Sequence, residues 1–291
     1  MQLDRAFFFR GVLIGGLGLL GVFLVGQAVA SSLEVFHADS LAGPMKGLKK
    51  AFEGKHPGVT INLTSGVSKQ LAERILKGEV CDVFAPSSPA VIEEDLMNKR
   101  IAGSGKDAAS WYVIFSANEM VVITAKGNPG GISHVADLAK PGVKFVRGTG
   151  EKDLATNRTI EFLKKAAALE GKPELAQKII DGAVVDPSKP TSVPDTIRAV
   201  KEGRANAGVV YYSAAMAAKN DLDIIRFPAS VNLSDKIRNA ASVPGTAQNE
   251  KAALDFVKFV LSEEGQKILK EAGQPPVVPA IRKGDVPAEL K

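Results

Sequence analysis

Ser40 and Ser68 each stand where a strand-like run gives way to helical spacing, and a hydroxyl at such a junction can donate to an anion. The run Leu33-Glu-Val-Phe-His-Ala-Asp-Ser-Leu41 alternates like a half-buried strand. Behind it Leu41, Met45, Leu48 and Phe52 recur at i, i+4, i+7 and i+11, the spacing of a buried helical face. Thr64-Ser-Gly-Val-Ser68 leads in the same way into a helix bearing Leu71, Ala72, Ile75 and Leu76. In the other half, Thr191-Ser-Val-Pro194 places a proline in a first helical turn, where its missing N–H costs least, after hydroxyls that can cap. A helix start offers unpaired N–H groups and the positive end of the helix dipole, which together suit an anion. Each junction taken alone is an ordinary N-cap. Their recurrence in both halves gives weight to a shared purpose.

Other chemistries find little support. Only three histidines occur, His37, His56 and His134, and none has a second His, Cys or carboxylate at metal-ligand spacing. There is no G-x-S-x-G elbow, P-loop or G-x-G-x-x-G fingerprint. The single cysteine, Cys81, cannot form an internal disulfide, has no histidine nearby in sequence, and reads as a buried apolar filler in a strand over residues 80–85. The formal charge of +5 is spread without a basic run or aromatic-interleaved stripe, so nucleic acid is not an expected partner. An enzyme is not expected.

Residues 1–30 carry Arg5 and Arg10, an apolar run over residues 11–25 and the small-x-small triplet Ala28-Val-Ala30. This is the form of an export signal cleaved after Ala30, and the apolar run is shorter than the roughly 20 residues that a spanning helix needs. A periplasmic location follows, with a retained anchor as the alternative. The remaining residues, about 260, suffice for one large or two modest domains with real cores.

Strands are expected over residues 59–64, 80–85, 120–124, 143–146, 184–185, 207–211 and 223–227. Helices are expected over 68–77, 89–97, 154–168, 173–180, 194–202, 213–219, 250–261 and 262–271, before a proline-rich tail over 273–280. This β-α alternation implies mostly parallel sheets flanked by helices. The pattern restarts after residue 124, which predicts an α/β fold of two lobes with a ligand cleft between them. Lobe 1 is expected over 31–119 plus 240–291 and lobe 2 over 120–239, the chain crossing between them on strands.

Here the chain resembles the molybdate- and tungstate-binding periplasmic proteins that serve ABC importers, of the type II solute-binding fold. His37-Ala-Asp-Ser-Leu41 and Ser68-Lys-Gln-Leu-Ala72 resemble the family's two serine motifs. Asp153-Leu-Ala-Thr-Asn-Arg158 resembles its ligand loop. The segments Ser192-Val-Pro and Gly208-Val-Val-Tyr211 keep its ungapped spacing between a valine and a tyrosine. Ser110-Trp-Tyr112, the segment over 227–234 and the glutamate-glycine pair before the tail are similar to the tungstate-binding branch. The resemblance implies an oxyanion held by the Ser40 and Ser68 hydroxyls, the Ala155 and Val193 backbone N–H groups and the Tyr211 hydroxyl, with Asp153 and Arg158 as secondary candidates. The metal would be bound only within the oxyanion, through these same residues, and no cofactor is implied. The partners implied are the small oxyanion and an ABC transporter permease, the receptor itself being a monomer.

Two departures bear on that expectation. The octahedral branch adds two carboxylates; Asp153 fits the first place, but Val210 stands in the second, so tetrahedral, hydrogen-bonded recognition is expected. Thr156 replaces the usual glycine after Ala155. Molybdate and tungstate are fully deprotonated dianions that only accept hydrogen bonds, so serine, tyrosine and backbone donors suit them without lysine or arginine. The simpler readings are an exposed helical position for Arg158, an N-cap for Asp153, a packed His37, and packing at the hinge for Trp111 and Tyr112. The alternative function is a receptor of the same fold for sulfate, phosphate or a small organic anion.

Overall fold

The computed structural model describes residues 31–150, 153–185, 188 and 190–291, so the export leader lies outside the described residues. The chain opens with β1 (Ser31–Ala38), which alternates its apolar side chains between two cores: Leu33 and Val35 meet α1 (Ala42–Lys55), while Phe36 faces the other way. β2 (Val59–Gly66) and β3 (Val83–Ala85) flank β1, both parallel to it. α2 (Ser68–Leu76) and α3 (Pro89–Asp95) cover the Phe36 face through Leu71, Ile75, Val91 and Ile92. β4 (Trp111–Ala117) is buried on both faces and carries the chain to the first crossing.

The second lobe holds β5 (Met120–Ala125), β6 (Phe145–Val146), α4 (Leu154–Leu169), α5 (Glu174–Asp181), α6 (Val193–Lys201), β7 (Ala207–Tyr211), α7 (Tyr212–Ala217) and β8 (Leu222–Ile225). Its sheet runs β6-β7-β5-β8, with β6 parallel to β7 and β5 antiparallel to both β7 and β8. Phe145, Phe162, Leu163 and Val209 pack on one face, and Val121, Ile123, Val146 and Val200 on the other.

The chain returns through β9 (Arg238–Ala241), α8 (Glu250–Leu261), α9 (Glu263–Glu271) and β10 (Pro276–Gly284). The order β10-β4-β9 is antiparallel, and reciprocal hydrogen bonds between Phe84 and Ser242, of 2.9 and 3.0 Å, join β3 to the end of β9. One broad sheet therefore underlies the first lobe. Phe256 and Phe52 close its α1/α8 face, their rings 5.2 Å apart and edge to face. The two lobes meet where the segments around residues 118 and 237 cross, Asn118 N–H donating to the Ile237 carbonyl at 3.0 Å.

Several expected elements differ. β3 is only Val83–Ala85, because Asp82 ahead of it turns its buried carboxylate onto the N–H groups of Glu34, Gln248 and Asn249 at 2.8 to 2.9 Å. Cys81 is buried as expected, its thiol pushed up by desolvation. Residues 184–185 do not form a strand; the Val184 N–H bonds to the Phe145 carbonyl, but no ladder continues. The proline-rich tail becomes β10, an edge strand, where a proline without an N–H is tolerated. β4 and β9 were not among the expected strands. Trp111 and Tyr112 begin β4 at the end away from the crossing and are buried within the first lobe, not at a hinge.

Candidate ligand-binding site

Three parallel strands of the first lobe end at the same edge with the same short pattern. The last paired positions are Ala38 with Gly66 and His37 with Ala85. Two residues beyond Ala38, Gly66 and Ala85 stand Ser40, Ser68 and Ser87. Carboxyl ends of parallel strands are where open α/β sheets gather ligand groups. Ser40 lies in a 3-10 turn (Asp39–Leu41) that precedes α1, so it does not cap that helix, and its hydroxyl has no hydrogen-bond partner among the described residues. Ser68 is the first residue of α2 and does not cap it either. Its oxygen instead accepts the Ser87 N–H at 3.2 Å, which leaves the Ser68 hydroxyl proton to donate elsewhere. Ser87 was not among the expected residues; the repeated small-x-Ser pattern is the signal that could have found it.

The second lobe contributes a matching edge. β6 and β7 run parallel, and the loop from β6 to α4 is tied to the loop that leads from α5 into α6: Thr149 N–H donates to the Thr191 carbonyl at 2.9 Å, and Thr191 N–H to the Thr149 hydroxyl at 2.8 Å. Gly148 lies against both, its Cα side facing the Thr191 carbonyl and the Thr156 hydroxyl, where a Cβ would stand in ordinary contact at 3.4 and 3.5 Å. Asp153 caps α4, one carboxylate oxygen taking both the Thr156 N–H at 2.9 Å and the Thr156 hydroxyl at 3.0 Å. Thr156 thus completes a cap where a glycine could not. The Ala155 N–H, in the second position of α4, is left without an intrahelical partner.

α6 makes the sharper case. Its N-cap Ser192 accepts the Asp195 N–H at 3.2 Å and its carbonyl takes the Thr196 N–H at 3.0 Å, while Pro194 has no N–H at all. Among the described residues, that leaves the Val193 N–H as the unpaired donor of the first turn.

Tyr211 ends β7 and is 9% exposed, with Arg158 of α4 donating from Nη1 to its hydroxyl oxygen at 3.1 Å. The guanidinium carbon lies 5.7 Å from the ring centroid. Burial pushes the phenol up, Arg158 opposes this through charge and hydrogen bond, and the Asp153 charge adds to the rise. Arg158 is therefore half-buried and engaged, which corrects its reading as an ordinary exposed helical arginine. Val210 is fully buried among Val121, Ala199 and Ala215, in the core opposite to that of Tyr211. A carboxylate at this position would face the lobe interior.

The two edges meet at the crossing. The Ser40 carbonyl accepts from Gln274 Nε2 at 3.0 Å and from the Ser213 hydroxyl at 3.5 Å, and Ser213, two residues after Tyr211, receives the Asn118 amide at 2.8 Å. His37, packed as expected, donates or accepts through Nδ1 at the Ala38 carbonyl, 2.9 Å away, and burial lowers its basicity. Two grooves of about 550 and 490 Å³ flank α6; neither is lined by Ser40, Ser68, Ala155 or Tyr211. Among the described residues, no group of three or more His, Cys, Asp or Glu could hold a metal ion, and no helix is long and apolar enough to cross a membrane.

Residues 33–274 match the family model of the bacterial extracellular solute-binding proteins. The chain belongs to this family. Its members are solute-binding receptors, the class of function that the resemblance implied. Among relatives, the molybdate-binding protein ModA of Mycobacterium tuberculosis is 27% identical over 244 residues, covering 84% of each chain. The molybdate/tungstate-binding protein WtpA of Pyrococcus abyssi is 26% identical over 91% of this chain and 90% of its own. Among solved structures, the substrate-binding domain of a putative molybdenum ABC transporter from Clostridium difficile superposes with a TM-score of 0.66 at 24% identity, covering 84% of this chain and 99% of that one. That likeness bears on the fold: two lobes, as the β-α restart led one to expect, in the type II arrangement that the resemblance implied.

Proposed function

We propose that this solute-binding protein captures molybdate or tungstate as a tetrahedral dianion between its lobes and delivers it to the membrane permease of an ABC importer. The observation that carries this reading is a set of donors that have no protein acceptor among the described residues, at the edges of the two lobes: the hydroxyls of Ser40, Ser68 and Tyr211 and the N–H groups of Ala155 and Val193. The names of ModA and WtpA support the choice of anion. The metal enters only as the oxyanion, with no separate cofactor. Hydrogen bonds to a charged partner contribute roughly 1.5 to 3 kcal/mol each, so about six support micromolar or tighter binding after desolvation and closure are subtracted.

In this reading lobe 1 comprises residues 31–119 and 240–291 and lobe 2 residues 120–239, the protein acts as a periplasmic monomer freed by cleavage after Ala30, and the lobes close on the ligand by a hinge at the crossing. Calorimetry with molybdate, tungstate, sulfate and phosphate tests the assignment. Binding of the first two at micromolar or lower concentration, with sulfate and phosphate weaker by tenfold or more, is the expected result. Equal or absent heat from all four would sink it.

A further inference from the structure

The pairing of Arg158 with Tyr211 constrains more than the local packing. A guanidinium has five N–H donors and no acceptor, so in the 3.1 Å contact between Arg158 Nη1 and the Tyr211 oxygen the phenol must accept. A phenol carries a single proton. With its oxygen occupied by Arg158, that proton is directed away from the arginine, and among the described residues it meets no acceptor although Tyr211 is 9% exposed. Arg158 reaches this position from the second turn of α4, the helix whose first turn presents the Ala155 N–H. Its guanidinium carbon lies over the same ring, 5.7 Å from the centroid. The arrangement fixes the hydrogen-bond polarity of one hydroxyl.

We propose that Arg158 is a positioning residue that makes Tyr211 an obligate donor, so that the site selects fully deprotonated tetrahedral dianions over oxyanions that must themselves donate a proton. A free phenol can rotate to accept from hydrogen phosphate; a phenol already accepting from Arg158 cannot do so without breaking that bond. The inference rests on the oxyanion reading of the site and adds to it a residue that need not touch the ligand.

The test is a double-mutant cycle on the purified protein, with molybdate and inorganic phosphate as probes. Arg158→Met is expected to weaken molybdate binding about tenfold and to narrow the preference for molybdate over phosphate, while the same substitution in a Tyr211→Phe background changes molybdate affinity less than twofold. Arg158→Lys, which keeps a donor without the planar fork, is expected to restore part of the loss. A spectroscopic readout is independent of any ligand: the ultraviolet difference between wild type and Tyr211→Phe isolates the ionisation of this phenol, which shifts to higher pH in Arg158→Met because the opposing cation is gone. An equal loss in both backgrounds would mean that Arg158 acts on the ligand directly and would overturn the proposal, as would an unshifted phenol titration. If wild-type protein binds no oxyanion, the reading of the site fails, whereas wild-type binding with Arg158→Met unchanged defeats only the role given to Arg158.

Discussion

Replacing Ser68 and Ser40 by alanine separates ligand binding from scaffold stability, because the two hydroxyls are embedded differently. Ser68 is 7% exposed and its oxygen accepts the Ser87 N–H at 3.2 Å, whereas the Ser40 hydroxyl has no partner among the described residues. In both variants one donor to the bound dianion is lost, worth about 2 kcal/mol, or roughly thirtyfold in affinity. Ser68→Ala also leaves the Ser87 N–H unpaired in the empty protein, a cost of about 1 kcal/mol that lowers the ligand-free melting temperature by roughly 3 °C for a chain of this size. Ser40→Ala has no such second cost. Calorimetry with molybdate and ligand-free thermal melts measure the two effects separately. Molybdate affinity within threefold of wild type in either variant would remove that serine from the site, and a drop in ligand-free stability for Ser40→Ala equal to that for Ser68→Ala would refute the distinction between a free and an anchored hydroxyl.

The scaffold gives three further expectations. Asp82→Ala strips three backbone N–H groups of their buried charged acceptor and should destabilise the protein by on the order of 3 kcal/mol, while Asp82→Asn, which keeps one oxygen, should cost less than half as much in chemical denaturation. Gly208→Ala would set a methyl 2.7 Å from Thr196 Cγ2 and 3.3 Å from Val146; Thr196 is fully buried and its hydroxyl is bonded to the Ser192 carbonyl, so it cannot yield, and a loss of about 1 to 3 kcal/mol with weakened oxyanion binding is expected from displacement of α6. Burial acts to raise the Asp137 carboxyl, but Lys140 and the Ser133 and His134 N–H groups outweigh it and hold it well below the ordinary carboxylate range. A depressed folded-state value means that the unfolded chain takes up the proton first, so this contribution is present above about pH 4 and is lost as pH falls further; Asp137→Asn should flatten the fall in stability below pH 4, and an unchanged slope would count against the pairing.

The elements that read well in the sequence carry their own period. β7 was expected over 207–211 and α8 over 250–261, and both bounds are met, because a short run of apolar residues ending in Val-Val-Tyr and a 3.6-residue stripe each name one structure. β9 fails that test: Arg-Asn-Ala-Ala has no strand pattern and is extended only because β4 and the end of β3 offer it hydrogen bonds. β10 hides behind its prolines, and its edge position is a tertiary fact. Residues 184–185 show the converse. Two β-branched residues favour extension, yet one hydrogen bond to Phe145 is all that the short edge strand β6 provides.

The site divides along the same line. Ser40, Ser68 and Val193 sit beside local punctuation, a strand end and a helix start, which short-range sequence records. Arg158 and Tyr211 are 53 residues apart and meet only because α4 packs on β7, so a helical arginine with polar neighbours gave no sign of its partner. Asp153 and Thr156 lie between these cases: the acid before a helix was legible as a cap, but the threonine's contribution to that cap depends on the rotamer that brings its hydroxyl to the carboxylate. Ser87 was legible and passed over. Its Ala-Pro-Ser repeats the Ala-Asp-Ser and Gly-Val-Ser of its neighbours, and once β1, β2 and β3 run parallel and end within one residue of one another, equal offsets from their ends bring three serines to one edge. Periodicity across elements, compared from their ends inward, carries site information that the period within each element does not.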